Sequence, residues 1–332
     1  MQINETTKTS FGAVRRALLA TAAVGALCAP AFAEAPYPNR PIKLVVAFAP
    51  GGGSDFIARL VAVRMSEKLG QPVIVENRPG AGGNLGASTA LKSPADGYTL
   101  FLAAASYTVN PALYKLTFDP IKDITPIAQL ARGPFIIAVN PEVPAKNLKD
   151  LVALAKKEPN KLSYASAGTG SIVHIATEYF LDVTGAQMMH VPYKGTAPAL
   201  TDTISGQTQV VFGTVASTLP FAKADKLRAL AVTTPNRLAA LPDVPTTAEA
   251  GFPNYSVTNW HGIIGPKGIP QDIVAKLNKA INESIHGAEM TKGMSSDGLT
   301  PAGGTPAEFG KLLGDETARW QALVTKGDIK VE

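Results

Sequence analysis

Two runs of glycine and hydroxyl residues carry most of the chemistry this sequence offers. Pro50-Gly51-Gly52-Gly53-Ser54-Asp55 follows a short apolar run, Ile42–Phe48, and precedes a helical pattern that ends at Leu69-Gly70. Ser166-Ala167-Gly168-Thr169-Gly170-Ser171 lies in the same way between an apolar strand and a helix, and Lys194-Gly195-Thr196 is a shorter version. A turn of this kind presents backbone N–H groups at a helix start, where the dipole also favours an anion. Glycine leaves only hydrogen between the backbone and a ligand. The chemistry expected is therefore binding of an anion. Ser54, Asp55 and Ser171 are equally good helix caps, so each turn taken alone reads as an anchor or as a cap.

The motifs of catalysis are incomplete. Gly80-Ala81-Gly82-Gly83-Asn84-Leu85 has Leu85 where a dinucleotide fingerprint needs its last glycine, and Gly168-Thr169-Gly170 has Val173 there. No phosphate-loop motif occurs, and Gly52-Gly53-Ser54-Asp55-Phe56 lacks the closing glycine of a nucleophile elbow. His174, His190, His261 and His286 have no metal-ligand spacing. His174, off the apolar face one turn after Ser171, reads as a solvated histidine or one turned to the site. His261 follows Trp260, a core residue, and reads as a site residue or a satisfied buried one.

The elements that must position these turns alternate between strand and helix. Strands are expected over Ile42–Phe48, Val73–Val75, Tyr98–Ala103, Leu162–Ser166, Met188–Val191, Gln209–Phe212 and Leu227–Val232. Ile172, Ile175, Ala176, Tyr179, Phe180 and Val183 keep helical spacing up to Gly185. Thr305-Pro306-Ala307-Glu308 is a capping box with proline at the first helical position. The alternation predicts parallel sheets with right-handed crossovers. Apolar stretches near 130 and 260 read as crossovers between two lobes around a cleft. The lobes are expected over 34–135 plus 258–332 and over 136–257.

Composition narrows the class. The chain has 332 residues, 45% hydrophobic and 17% charged, enough for one large or two medium cores and too apolar for disorder. Arg15-Arg16, an apolar stretch over Ala17–Ala29 and Ala31-Phe32-Ala33 form an export signal with cleavage after Ala33. The flanks of the arginine pair fit ordinary secretion better than a twin-arginine signal. Removing residues 1–33 takes Lys8, Arg15 and Arg16 against Glu5, or +2, from the formal +5 and leaves +3. With no Lys/Arg run of five, a nucleic-acid partner is not expected. Cys28, the one cysteine, leaves with the signal, so no thiol chemistry remains.

Several segments together resemble the Bug family, the periplasmic substrate-binding proteins of tripartite tricarboxylate transporters. They are Ala47–Asp55, Glu76–Asn84, Pro94–Leu100, Gly168–His174, Val191–Gly195, Leu227–Val232 and Leu241–Thr246. The resemblance implies an α/β, two-lobed type II periplasmic binding-protein fold with a ligand cleft between the lobes. It implies no cofactor, no metal and no catalysis. A small carboxylate, a dicarboxylate or an aromatic one, would be captured in the periplasm for uptake or sensing. The partner would be a membrane permease of the tripartite type, and the receptor a monomer. By matching, Phe48, Ala49, Gly52, Gly53, Ser54 and Asp55 would hold one side of the ligand. Ser166, Gly168, Thr169, Gly170 and Ser171 would hold the other, with Ser106, Tyr193 and Lys194 contributing. The sequence departs from the family at His261, often tyrosine, and near Thr214, where an acid is common. Lack of that acid favours a plain carboxylic acid over an amino acid. A secreted α/β hydrolase and an amino-acid receptor are the rival readings.

Cleavage at the A-x-A pattern predicts an exported form that begins at Glu34. Its intact mass checks this; retention of Cys28 would contradict it.

Overall fold

The computed structural model describes residues 36–48, 50, 53–193, 195–296 and 298–327. The expected export signal and its cleavage point lie outside the described residues, as do Ala49, Gly52 and Lys194. The chain divides into Met1–Asn39 and Arg40–Glu332, and the architecture below belongs to the second.

The order is β1 (Ile42–Val46), α1 (Gly53–Leu69), β2 (Val73–Asn77), α2 (Asn84–Leu91), β3 (Thr99–Ala104), α3 (Ser106–Leu113) and β4 (Ile124–Val139). Then come α4 (Leu148–Lys157), β5 (Ser163–Ser166), α5 (Ile172–Thr184), β6 (Met189–Pro192), α6 (Thr196–Ile204), β7 (Val210–Thr214), α7 (Val215–Lys223) and β8 (Arg228–Val232). The chain ends with β9 (Thr258–Pro266), α8 (Gln271–Ile285), α9 (Ala288–Ser296), β10 (Thr300–Gly303) and α10 (Pro306–Gly327).

Local signals explain the helices. α1 has Asp55 in its first turn and Lys68 in its last, both favourable to its dipole, and Gly70 beyond it has φ 69. α5 ends at Gly185 in the left-handed conformation. At α10, Glu308 N donates to Thr305 Oγ1 at 3.2 Å, and Thr305 N donates back to Glu308 Oε2 at 2.8 Å. That reciprocal pair is the capping box written in the sequence.

The sheet path is β2-β1-β3-β9-β4-β7-β5-β6, with β8 and β10 also paired to β4. β1 pairs in parallel with β2 and β3, and β5 pairs in parallel with β6 and β7. The expectation of wholly parallel sheets is corrected at β4 and β9. The apolar stretches read as crossovers are antiparallel strands inside the sheet. β9 pairs with β3 on one side and with β4 on the other. β4 pairs with β9 from Ile124 to Pro134, then with β7 and β8 from Phe135 to Val139. Its long apolar run reflects burial on both faces.

One core gathers Val45, Phe101, Trp260, Ile264, Phe309 and Leu313. Another gathers Phe135, Tyr164, Phe180, Phe212, Tyr255 and Trp320. α10 therefore feeds both, with Phe309 edge-on to Trp260 at 5.7 Å. Gly262 of β9 allows this contact, because a β-carbon there would lie 2.2 Å from Phe309 Cζ. Gly262→Ala is predicted to destabilise the fold by about 1–3 kcal/mol through overpacking. Urea unfolding monitored by tryptophan fluorescence measures it; an unchanged midpoint would contradict this packing.

Candidate functional site

The first turn joins the end of β1 to α1. Asn77, the last residue of β2, locks it from the side: its Nδ2 donates to Phe48 O and to Asp55 Oδ1, each at 2.9 Å. Asp55 Oδ2 accepts from Arg59 Nε at 3.0 Å, and Asp55 is buried. Asp55 thus ties the turn to the fold through its carboxylate. The opening N–H groups of α1, from Gly53 onward, have no acceptor within the helix. Ser54, half-buried, has its Oγ 3.2 Å from Nε2 of His261 on β9. His261 is only 4% exposed, and burial pushes its imidazole down to about 4.

A second glycine turn, Gly80–Gly83, stands beside the first. Gly80, Gly82 and Gly83 all have φ in the left-handed range, which side chains resist. Asn110 of α3 clamps it, with Nδ2 donating to Gly82 O at 2.9 Å and to Asn84 Oδ1 at 2.8 Å. Asn110 Oδ1 is buried with no partner among the described residues. It lines a hollow with Phe48, Gly83, Ser106 and Tyr107, where the ends of β1 and β3 meet the start of α3.

The third turn, Ser166–Ser171, is largely self-satisfied. Gly168 N donates to Ser166 Oγ at 3.1 Å, Gly170 N to His174 Nδ1 at 3.2 Å, and Ser171 N to Gly168 O at 3.0 Å. Ser171 caps α5 by accepting from His174 N at 3.3 Å. The open backbone donors expected here are thus mostly committed. Those of Ala167 and Thr169 have no partner among the described residues.

His174 lies in the interior, not on a solvated face. Its ring stacks on His190 at 4.0 Å, and His190 stacks on Tyr164 at 4.9 Å. Ser166 Oγ lies 2.7 Å from His190 Nε2, and the Tyr164 hydroxyl is held by Glu178. Burial pushes His190 down to about 4, and burial with the neighbouring His190 pushes His174 down to about 3. Both rings are neutral at pH 7 and serve the third turn as a stacked floor.

The remaining expected residues take distinct places. Ser106 opens α3 at the hollow. Tyr193 N donates to Ser166 O at 3.1 Å, and its hydroxyl donates to Asp202 Oδ2 at 2.7 Å. Thr214 ends β7 and shares a 2.8 Å hydroxyl contact with Ser217. Phe48, Ser54, Ser106 and His261 gather where β1 and β3 end beside the middle of β9, while Ser166, His174 and Tyr193 surround the third turn. Tyr114, just beyond α3, links the second and third turns. A β-carbon at Gly82 would lie 3.2 Å from its ring, and one at Gly170 would lie 3.3 Å from its hydroxyl. Asn77, Asn110 and Tyr114 had no role in the sequence reading. Asn77 and Asn84 fall inside one of the quoted motifs, which is the signal that points to them. No group of three or more His, Cys, Asp or Glu that could hold a metal occurs among the described residues.

Comparison with known proteins adds a consistent pattern. Residues 57–329 match the tripartite tricarboxylate transporter family receptor. The chain is 35% identical over 313 residues to Protein BugT of Bordetella pertussis, covering 93% of this chain and 96% of that one. A structure described as that of a periplasmic transporter superposes with TM-score 0.80 at 44% identity, covering 89% of this chain and all of that one. Rpa4515 of R. palustris with adipate gives TM-score 0.79 at 35% identity, with 89% and 99% covered. MatC of Rhodopseudomonas palustris with bound malate gives 0.76 at 30%, with 87% and 100% covered.

The buried histidines set a pH dependence. A histidine kept neutral by burial binds its proton less readily folded than unfolded. The unfolded chain therefore gains protons first, and stability falls as pH drops below the ordinary value of 6.5. Glu178, raised by burial, acts in the opposite direction. His190→Phe keeps a stacked ring and should flatten the loss by up to about 1.4 kcal/mol per pH unit. Urea unfolding between about pH 6.5 and pH 5 measures the slope, and an unaltered slope would contradict neutral burial.

Proposed function

This chain belongs to the tripartite tricarboxylate transporter receptor family, the Bug proteins, and from that premise we propose that it captures a small dicarboxylate. It is a solute-binding receptor and not an enzyme, which removes the hydrolase reading. Receptors of this family are periplasmic and work with the membrane components of a tripartite transporter. In our reading the chain is exported, is cleaved after Ala33, acts as a monomer and delivers its ligand to such a permease.

The observation that carries the choice of ligand is the start of α1. The first N–H groups of a 17-residue helix and the Ser54 hydroxyl together form a donor-rich corner beside the apolar end of β1. The Asp55 carboxylate, engaged by Arg59 and Asn77, leaves that corner without a negative partner for an ammonium group. A plain carboxylate is therefore favoured over an amino acid. Adipate and malate in the two solved relatives supply the class, since each carries two carboxylates.

The second carboxylate falls to the third turn, through Thr169 and Ala167, with Tyr114 and Ser106 between the turns. The lobes, 34–135 plus 258–332 and 136–257, close on the ligand by bending β4 and β9 near Pro134 and Thr258. Phe48, Gly53, Ser54 and Ser106 contact the ligand, with Ala49, Gly52 and Lys194 completing the set. Asp55, His174, His261, Tyr193 and Thr214 support the residues that touch it.

Calorimetry with adipate and with its monoamide tests the two-ended reading. A charge-assisted hydrogen bond contributes about 1.5–3 kcal/mol, so the monoamide should bind about tenfold to a hundredfold more weakly. Equal affinities would show that only one carboxylate is recognised.

A further inference from the structure

Ser54 and His261 share a hydrogen bond whose direction depends on the imidazole tautomer. Ser54 Oγ lies 3.2 Å from His261 Nε2, its one partner among the described residues. His261 sits on β9 between Ala104 of β3 and Ala131 of β4, and it is 4% exposed. Its other ring nitrogen, Nδ1, is buried with no partner among the described residues. Burial holds the ring neutral, so only one nitrogen carries a proton.

The two tautomers have different consequences. With the proton on Nδ1, an N–H donor is sealed into the sheet without an acceptor, and the Ser54 hydroxyl must turn inward to donate to Nε2. With the proton on Nε2, the buried Nδ1 is a bare acceptor and Ser54 Oγ accepts from the ring. Among buried backbone groups, orphaned N–H donors are rarer than under-satisfied acceptors. A free imidazole side chain also prefers its proton on Nε2, so environment and intrinsic chemistry agree.

We propose that His261 is a positioning residue: its Nε2–H donates to Ser54 Oγ and leaves the Ser54 hydroxyl to donate outward at the start of α1. The corner then offers mainly donors, from this hydroxyl and the first backbone N–H groups of the helix, with one Ser54 lone pair already taken by His261. It selects a ligand atom that only accepts, such as an ionised carboxylate oxygen. An ammonium or amide N–H placed there finds at most the remaining Ser54 lone pair and faces the other donors, which is the expensive arrangement for a desolvated donor. This inference rests on the carboxylate reading for its ligand but not for its geometry.

Two measurements test it. In the ligand-free protein with 15N-labelled histidine, long-range 1H–15N correlation should show Nε2 protonated and Nδ1 bare for His261, the signals being assigned by their loss in His261→Gln. The reverse tautomer would overturn the proposal whether or not any ligand binds. Calorimetry with adipate supplies the second arm. Ser54→Ala should weaken binding about tenfold in the native background and far less in His261→Phe, where no ring N–H holds the hydroxyl outward. His261→Gln, which keeps an N–H donor near the Nε2 position, should retain the full Ser54 effect. An equal Ser54→Ala loss in all three backgrounds would overturn the positioning role. If the native protein binds adipate and every other dicarboxylate too weakly to detect, the carboxylate reading fails, and the tautomer result still decides the geometry.

Discussion

Strand β4 changes partners around Pro134 and Phe135, leaving β9 for β7 and β8, and the placement of both main glycine turns follows from that ladder. Before the change, β9 carries the pairing to β3 and so sets His261 opposite Ala104, two residues ahead of Ser106. After it, β7 carries the pairing to β5, which ends in Ser166 at the third turn. Hydrogen-bonded partners along both edges of β4 hold its register. The backbone is crowded here as well. A β-carbon at Gly133 would lie 2.5 Å from Gly298 O, so the change of partners happens where only glycine fits. α10 spans the same junction, with Phe309 in one core and Trp320 in the other.

On this frame the two principal turns are built differently. The first is held from outside, by the Asn77 amide on Phe48 O and on Asp55, and the opening N–H groups of α1, as at any helix start, lack helical acceptors. The third is locked from within, by Ser166, His174 and Gly168, and commits three of its own N–H groups. Such a turn is already in its final shape when a ligand arrives, and less ordering entropy is lost on binding. Its stacked floor of His174, His190 and Tyr164 works only while the imidazoles are neutral, because a protonated His174 Nδ1 cannot accept from Gly170 N. In the proposed function the first turn therefore supplies most of the charge complementarity and the third a preformed shape.

Much of this was legible in the sequence. The helix stops at Gly70 and Gly185, the capping box at Thr305–Glu308 and the place of Trp260 in the core follow from local rules, and local rules read well from one sequence. Two things did not follow. The stretches near 130 and 260 are mostly apolar with no strict alternation, and a strand buried on both faces has no period to separate it from an apolar crossover. His174 stood off the apolar face of its helix, which reads as solvent exposure. Its burial comes from His190, 16 residues on and brought alongside by β6, so no local pattern announces it. The same holds for Asn77 and Asn110, whose roles depend on carbonyls and carboxylates supplied by distant turns. The resemblance carried the reading from fold to ligand class, and residue spacing alone stopped at an anion beside a helix start.

Titration of 15N-labelled mature protein with adipate, followed amide by amide, tests the central claim that backbone donors from turns on both sides of β4 hold one ligand. The account predicts that the amide signals of Gly53, Ser54, Ala167 and Thr169 shift together and saturate with a single dissociation constant. Saturation with shifts confined to the α1 start, and none at Ala167 or Thr169, would contradict it.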